Sequence, residues 1–161
     1  MIERYTLPEM GNLWTDAYKL QTWLEVEIAV CKAQAELGYI PQEAVDEIVA
    51  KAKFDPQRVL EIEAEVHHDM IAFLTNVNEY VGDAGRYIHL GLTSSDVLDT
   101  ALALQLTTSL DVVLKRTEAL IQAIRYRAQE HRNTVCVGRS HGIHAEPITF
   151  GFKLAGWLAE M

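Results

Sequence analysis

The stretch DVLDTALALQLTTSLDVVLKRTEALIQAIRYRAQEH, residues 96–131, decides the fold of this chain. It contains neither proline nor glycine, and its apolar residues recur at intervals of three and four, the period of an α-helix. Such a helix is about 54 Å long, more than one small domain covers with its own residues. We therefore predict a long helical bundle that other chains complete. The apolar positions are Val97, Leu98, Ala101, Leu102, Leu106, Leu110, Val113, Leu114, Ala119, Leu120, Ile121 and Ile124.

Shorter helices are predicted before this stretch, so the expected fold class is all-α. The first two cover residues 16–37 and 41–52. The third begins after an Asp55 cap, with Pro56 in its first turn. The fourth covers residues 67–82, with Asp69 in its first turn and Gly82 past its end. We place a domain boundary near residues 91–93. It separates a small helical N-terminal domain, residues 1–92, from the first part of a central long-helix bundle domain, residues 93–161.

The region after the long helix is predicted to have three parts. TVCVG, residues 134–138, is briefly extended; RSHGIHA, residues 139–145, is a loop; and a last helix starts at Glu146–Pro147. That helix runs to Met161 without a cap or stop signal. We therefore expect the chain to be cut from a longer one.

Composition excludes several classes of partner. The 161 residues carry a net charge of -9, so a general basic footprint for nucleic acid or anionic lipid is absent. The N-terminus lacks the apolar core of a signal peptide, and no uninterrupted apolar run reaches about 18 residues, so no membrane span is expected. Cys31 and Cys136 stand far apart, which favours two buried free thiols in a reducing, cytoplasmic compartment.

The first polar cluster is VHHDMIAF, residues 66–73. Adjacent histidines at a helix start resemble metal ligands, but neighbours on a helix point about 100° apart, so His67 and His68 need a further partner to share one ion. The alternative is structural: His67 and Asp69 cap the helix, and His68 is half-buried. This stretch alone leaves both interpretations open.

The second polar cluster is RYIHLGLTSSDVLDTA, residues 86–101. Thr93, Ser94 and Ser95 are natural N-cap residues for the long helix, and Asp96 favours its first turn. Capping alone explains all four residues. The same free N–H groups and hydroxyls also form an anion site, and composition does not choose between the two roles.

The third polar cluster is RSHGIHAEP, residues 139–147. His141 and His144 are three residues apart, but Gly142 favours a loop, and no cysteine or carboxylate stands at zinc-ligand spacing. We therefore expect no metal. A neutral imidazole is the natural general acid–base near pH 7, whereas a lone loop histidine is usually polar surface. Three histidine-containing clusters, each near a predicted helix start, favour one pocket in which their side chains come together.

Together these stretches resemble the adenylosuccinate lyases of the fumarase/aspartase superfamily. RYTLPEMGNLW resembles the start of that family, and HHDMIAFL, LGLTSSDVLDTA and GRSHGIHAEPITFG resemble three of its active-site segments in order. Fumarase, aspartase and argininosuccinate lyase lack the Gly-Ile-His-Ala-Glu-Pro continuation. One departure is a missing downstream Ser-Ser-x-Met-Pro-x-Lys-x-Asn-Pro loop, which carries the serine base of the family. We therefore interpret the chain as an N-terminal fragment.

The resemblance implies β-elimination of fumarate, without cofactor or metal. The substrates would be adenylosuccinate, giving AMP, and the succinylated aminoimidazole carboxamide ribotide SAICAR, giving AICAR. It also implies a homotetramer whose long helices form a central bundle, with each active site gathered from three subunits. The fragment alone is expected to be inactive, because the serine loop is absent.

The resemblance also implies site roles, matched residue by residue. His141 would be the acid that protonates the departing nitrogen, and His68 its catalytic partner in contact with substrate. The substrate-binding residues would be Thr93 and Ser94 at a succinyl carboxylate, Arg4 and Tyr5 at the phosphate, and His67, Asp69 and His89 on the nucleotide side. Ser95 and Asp96 would be mainly structural.

Two alternatives belong to other functional classes. A non-enzymatic helical oligomerisation module would use the histidines as caps and would bind neither AMP nor fumarate. A metal-dependent hydrolase would use His67, His68, His141 and His144, and would contain stoichiometric metal.

Overall fold

The computed structural model of the chain describes residues 2–161, apart from the side chain of Glu3. The described residues are mostly helical, as the sequence predicts, with one added β-hairpin. The helices are α1 (Pro8–Gly11), α2 (Asp16–Glu36), α3 (Gln42–Lys51), α4 (Pro56–Val66), α5 (Asp69–Val81), α6 (Ser94–Glu130) and α7 (Phe150–Glu160), and the strands are β1 (Val135–Ser140) and β2 (Ile143–Thr149).

Helix starts in the N-terminal half follow local capping chemistry. The Thr15 hydroxyl accepts the Tyr18 N–H at 3.2 Å before α2, and the Asp55 carboxylate accepts the Gln57 N–H at 2.9 Å before α4. Each side chain satisfies a backbone donor that the first helical turn leaves free. The predicted Asp55 cap is confirmed.

A single apolar cluster contains residues of helices α2, α3, α4 and α5 and of the start of α6. At its centre Phe73 is fully buried and packs edge-to-face on Trp23, with ring centroids 5.5 Å apart. The first residues of α6 belong to the same cluster, because Val97 and Ala101 are also fully buried. The core therefore anchors the two helix starts, of α5 and α6, that carry the first and second polar clusters.

Helix α6 begins and ends within two residues of the predicted limits, but most of its apolar side chains are not buried. Its α6 apolar face, defined as Leu102, Leu106, Leu110, Val113 and Leu114, has side chains between 44% and 56% exposed. By length and composition alone α6 is able to cross a membrane, with a mean hydropathy of 1.4 over its most apolar window.

The prediction for residues 139–147 is wrong. RSHGIHA is not a loop, and Glu146–Pro147 does not start a helix, because β1 and β2 form an antiparallel hairpin. The β-branched residues Val135 and Val137 in β1 and Ile143, Ile148 and Thr149 in β2 favour strands here. Pro147 is tolerated because a two-stranded hairpin leaves its outer edges unpaired. Helix α7 starts instead at Phe150, where the Thr149 hydroxyl accepts the Phe152 N–H at 3.1 Å.

The chain forms two compact units, one ending at Ser109 and the other Leu110–Met161. The first unit contains α1 to α5 and the start of α6, and the second contains the rest of α6, the hairpin and α7. The domain boundary expected near residues 91–93 remains a prediction.

Candidate active site

The first polar cluster lies at the junction of α4 and α5. His67 ends α4 in the left-handed conformation, with φ of 53°, and its N–H donates to the Glu63 carbonyl at 2.8 Å. His68 is the N-cap of α5, where its Nδ1 accepts the Ile71 N–H at 3.4 Å. The structural interpretation, in which His67 and Asp69 cap this helix around a half-buried His68, holds in part. The Asp69 Oδ1 accepts the Met70 N–H at 2.7 Å, whereas His67 ends α4 and does not cap α5. The N-cap is His68, whose extended backbone directly before α5 aims the ring at the Ile71 N–H, and its side chain is 44% exposed.

This geometry bears on the proton chemistry of His68. When Nδ1 accepts a hydrogen bond, the proton of the neutral ring is on Nε2, which then faces outward as a donor. The Asp69 Oδ1 atom is 3.5 Å from the same Nδ1, so a protonated ring has a carboxylate beside it. The cap hydrogen bond is long at 3.4 Å, and the Asp69 Oδ1 also accepts the Met70 N–H at 2.7 Å.

The second polar cluster forms the entry to α6. The Thr93 N–H donates to the Asp96 Oδ2 at 2.8 Å, which is the backward half of a capping box with Thr93 as N-cap. Ser94 is the first helical residue and Ser95 lies inside the helix, so Ser95 is not a cap. The Thr93 amide is already satisfied, and an anion here would have to be held by the hydroxyls and the remaining free N–H groups.

His89 precedes this entry and contacts a buried acid. Its Nδ1 lies 2.6 Å from Glu27 Oε1, and its backbone N–H donates to Glu27 Oε2 at 2.9 Å. Glu27 is a functional candidate that the sequence motifs do not include. A signal was present, since Glu27 follows Trp23 by four residues and Leu20 by seven, so it shares the buried face of α2.

The third polar cluster occupies the hairpin turn. His141 and Gly142 form the two-residue loop, with φ of 49° and 73°, and positive φ at both positions is the pattern of a type I′ turn. His141 is exposed at the tip, and His144 lies on β2 opposite Arg139. No hydrogen bond to the His141 ring is formed within residues 2–161, so both ring nitrogens are open to a ligand or another chain.

A β-bulge next to the turn explains why residue 138 is a glycine. Two residues of β2, Ala145 and Glu146, face Gly138 of β1, where the pairing register shifts. A Cβ at Gly138 would lie 2.5 Å from the Glu146 carbonyl oxygen, so any side chain would displace the bulge. Bulges re-aim the residues beyond them, which here are those that lead to His141.

Arg4 and Tyr5 lie in a short 3-10 turn, Glu3–Tyr5. The Arg4 Nη2 donates to the Tyr5 Oη at 3.1 Å, and the guanidinium carbon stands 4.7 Å from the centre of the Tyr5 ring. Both side chains are exposed, and Tyr5 retains 73% of its free surface. The remaining guanidinium donors are available for an anion.

The clusters share a backbone feature. Among the described residues, the non-glycine residues with positive φ are His67, His89 and His141, one from each cluster. This conformation costs free energy in residues with a side chain and is concentrated at functional sites. Within the first unit, no hydrogen bond or ion pair joins the first cluster to the second, and within residues 2–161 no three His, Cys, Asp or Glu side chains form a metal-binding group.

Comparison with known proteins gives the family. A family model described as Lyase matches residues 3–161, nearly the whole chain. The chain belongs to this lyase family. Among curated relatives it is 86% identical to an adenylosuccinate lyase from Synechocystis and 51% identical to one from Bacillus subtilis, each over 161 residues. Both alignments cover the whole chain but only 37% of the relative.

Solved structures share the fold of the family. A fumarate lyase from Mesorhizobium sp. BNC1 matches 93% of the chain and 36% of its own length, with a TM-score of 0.88 and 33% identity. A 3-carboxy-cis,cis-muconate lactonizing enzyme from Pseudomonas putida matches 96% of the chain and 37% of its own length, with a TM-score of 0.87 and 34% identity. The resemblance to adenylosuccinate lyase is confirmed, and the alternative of a non-enzymatic module is not favoured.

The two cysteines of this lyase chain differ in burial. Cys31 is buried as predicted, whereas Cys136 on β1 is only half-buried, because a two-stranded hairpin has no second layer over it. Burial, and to a lesser extent the Glu27 carboxylate, raises the pKa of the Cys31 thiol to about 11. The reactive thiolate is therefore scarce at neutral pH.

We expect iodoacetamide to alkylate Cys31 about 100-fold more slowly at pH 8 in the native chain than in the denatured one, since each unit of pKa is a tenfold change in thiolate. Between pH 8 and 10 the native rate should still rise, because the folded pKa is about 11. The denatured rate should level off above the ordinary pKa of 9.0. Peptide mapping by mass spectrometry follows both rates, and equal native and denatured rates would contradict the buried thiol.

Proposed function

We propose that this chain is the N-terminal part of an adenylosuccinate lyase, which cleaves adenylosuccinate to AMP and fumarate and SAICAR to AICAR and fumarate. The observation that carries the proposal is 86% identity to the Synechocystis adenylosuccinate lyase along all 161 residues. The left-handed backbone of His67, His89 and His141 supports it, since each of these residues lies in a segment expected at the active site.

The reaction is an elimination. A base removes a proton from the succinyl carbon next to the one that carries nitrogen, and the electron pair forms the double bond of fumarate. The C–N bond breaks with its electrons going to nitrogen, which takes a proton from an acid. Negative charge grows beside a carboxylate during the first step, so donors fixed in advance must hold it.

His141 is proposed as the acid. Its imidazole stands at the tip of a rigid two-residue turn without a partner inside the described chain, so a neighbouring subunit can close over it. His68 is proposed as its partner, because its Nδ1 is engaged by the Ile71 N–H at 3.4 Å with Asp69 Oδ1 3.5 Å away, which leaves Nε2 for the substrate.

The other residues are proposed as binding groups. Thr93 and Ser94 at the start of α6 hold a succinyl carboxylate, and Arg4 with Tyr5 holds the phosphate through the exposed guanidinium. His67, Asp69 and His89 line the nucleotide side. The chemistry requires no cofactor or metal, because imidazole and a downstream serine supply both proton transfers.

The partner of the α6 apolar face is proposed to be the same helix from other copies, in a homotetramer. A polar row, Thr107, Asp111, Lys115 and Glu118, runs beside this face at the same helical spacing. Three charges in that row are costly in hydrocarbon, whereas the edge of a helical bundle accommodates them. The assembly is proposed to be cytoplasmic and to bind neither nucleic acid nor membrane.

We expect the full-length protein to convert adenylosuccinate to equal amounts of AMP and fumarate, measured by absorbance change and chromatography. The 161-residue chain alone should give no turnover, since the serine base lies outside it. EDTA should leave the full-length activity unchanged. Absence of turnover by the full-length protein, or stoichiometric zinc with loss of activity in EDTA, would contradict the proposal.

A further inference from the structure

Helix α2 carries three polar side chains on the face that meets residues 87–90. Glu27, Cys31 and Gln34 are spaced by four and three residues, so they form one row. Glu27 bonds to His89, the Cys31 Sγ lies 3.7 Å from the Tyr87 carbonyl, and the Gln34 amide donates to the Leu90 carbonyl at 2.8 Å. The row therefore ties down the segment that leads into α6.

Glu27 is the exceptional member of the row. It is 1% exposed, and both carboxylate oxygens are used by His89, one by the backbone N–H and one by the ring. A buried carboxylate is costly unless it is paired and hydrogen-bonded. The backbone bond also stabilises the left-handed conformation of His89, with φ of 65°.

The ring bond determines which nitrogen of His89 is available. The proton in the 2.6 Å contact is assigned to Nδ1, because an ionised carboxylate only accepts hydrogen bonds. Nε2 makes no hydrogen bond within residues 2–161, and the side chain retains 20% of its exposure. A histidine held at Nδ1 by a carboxylate has a fixed ring orientation and presents Nε2 to a ligand.

We propose that Glu27 is a positioning residue of the active site, acting through His89 to present Nε2 to the nucleotide portion of the substrate. The inference rests on the proposed function, which places His89 on the nucleotide side. Glu27 contacts no substrate itself, so its loss weakens substrate binding and leaves the elimination step largely intact.

The first test is Glu27→Gln in the full-length protein. The amide keeps the volume and one acceptor oxygen but loses the charge. We expect KM for adenylosuccinate to rise at least tenfold while kcat changes less than threefold and the tetramer persists. The matched control is Glu25→Gln, an exposed acid on the same helix bonded to Gln21, which should leave both constants within twofold. An unchanged KM in Glu27→Gln overturns the proposal.

The second test separates action through His89 from a general effect on the fold. Asn tolerates the left-handed conformation, so His89→Asn keeps the backbone while removing the ring. Residues that act as a pair are non-additive in a double-mutant cycle. Adding Glu27→Gln to His89→Asn should therefore change KM less than twofold. A second full tenfold rise would mean that Glu27 acts on the fold and would overturn the proposal.

A third measurement needs no variant at Glu27 and holds even if that variant does not fold. Solid-state NMR of wild-type full-length protein with 15N-labelled histidine should show a proton on Nδ1 of one ring whose signal is lost in His89→Asn. A neutral ring with its proton on Nε2 alone overturns the proposal. Lack of wild-type turnover would instead defeat the proposed function, so the two failures are distinct.

Discussion

His141→Gln is expected to lower kcat of the full-length protein on adenylosuccinate by about 10³–10⁴-fold, the upper part of the range for general acid–base catalysis. Glutamine occupies similar space and forms hydrogen bonds but delivers no proton near pH 7, so the nitrogen would leave without an acid. The tetramer should persist, because His141 lies exposed in a turn and supports no core. Absorbance assays give kcat, and sedimentation gives the oligomeric state.

Two further variants sharpen this test. His141→Asn lacks the acid but suits the left-handed backbone, with φ of 49°, better than glutamine does, so an equal loss in both variants excludes a folding effect. His144→Gln makes the same chemical change on β2, opposite Arg139, and should alter kcat less than threefold. Near-normal turnover in His141→Gln would remove His141 from the acid role, and equal losses at residues 141 and 144 would favour a shared metal.

Leu110→Glu is expected to dissociate the full-length assembly and to abolish turnover with it. Leu110 is 54% exposed in the single chain and lies in the middle of the α6 apolar face. If copies of α6 pack on this face, a carboxylate there is buried without a partner, at a cost of several kcal/mol in each copy. Activity would be lost with the assembly, because each proposed site is gathered from several subunits. Light scattering after size exclusion measures the mass.

The matched control is Thr107→Glu, which adds the same charge three residues earlier on the polar row of α6. Thr107 is exposed and its hydroxyl bonds only to the Ala103 carbonyl, at 2.8 Å. This variant should stay assembled and active within about threefold. A stable, active tetramer in Leu110→Glu would place the bundle contact on another face of α6.

The helices of this chain were predictable because their signals are local. A long proline-free and glycine-free stretch with regular apolar spacing, and the Asp55–Pro56 start, depend only on neighbours in sequence. The hairpin was missed because its turn is His-Gly instead of the commoner Asn-Gly, although two residues with positive φ between apolar runs form the same motif.

The candidate site was predictable as a set of residues but not as a set of contacts. His68 and not His67 caps α5, because the N-cap is the residue in extended backbone directly before the helix, and sequence does not show which of two adjacent histidines that is. Glu27 was missed because an acid on a helix normally faces water, and only the packed structure brings His89, 62 residues away in sequence, against it.

The left-handed backbone at positions 67, 89 and 141 limits which residues can ever replace these histidines. Valine, isoleucine and threonine would be strained there, at about 1–2 kcal/mol for each position, while glycine, asparagine and aspartate fit. Of the residues that tolerate such a bend, histidine alone exchanges a proton near neutral pH. The main-chain conformation therefore restricts variants at these three positions to a few residue types, whatever chemistry is intended there.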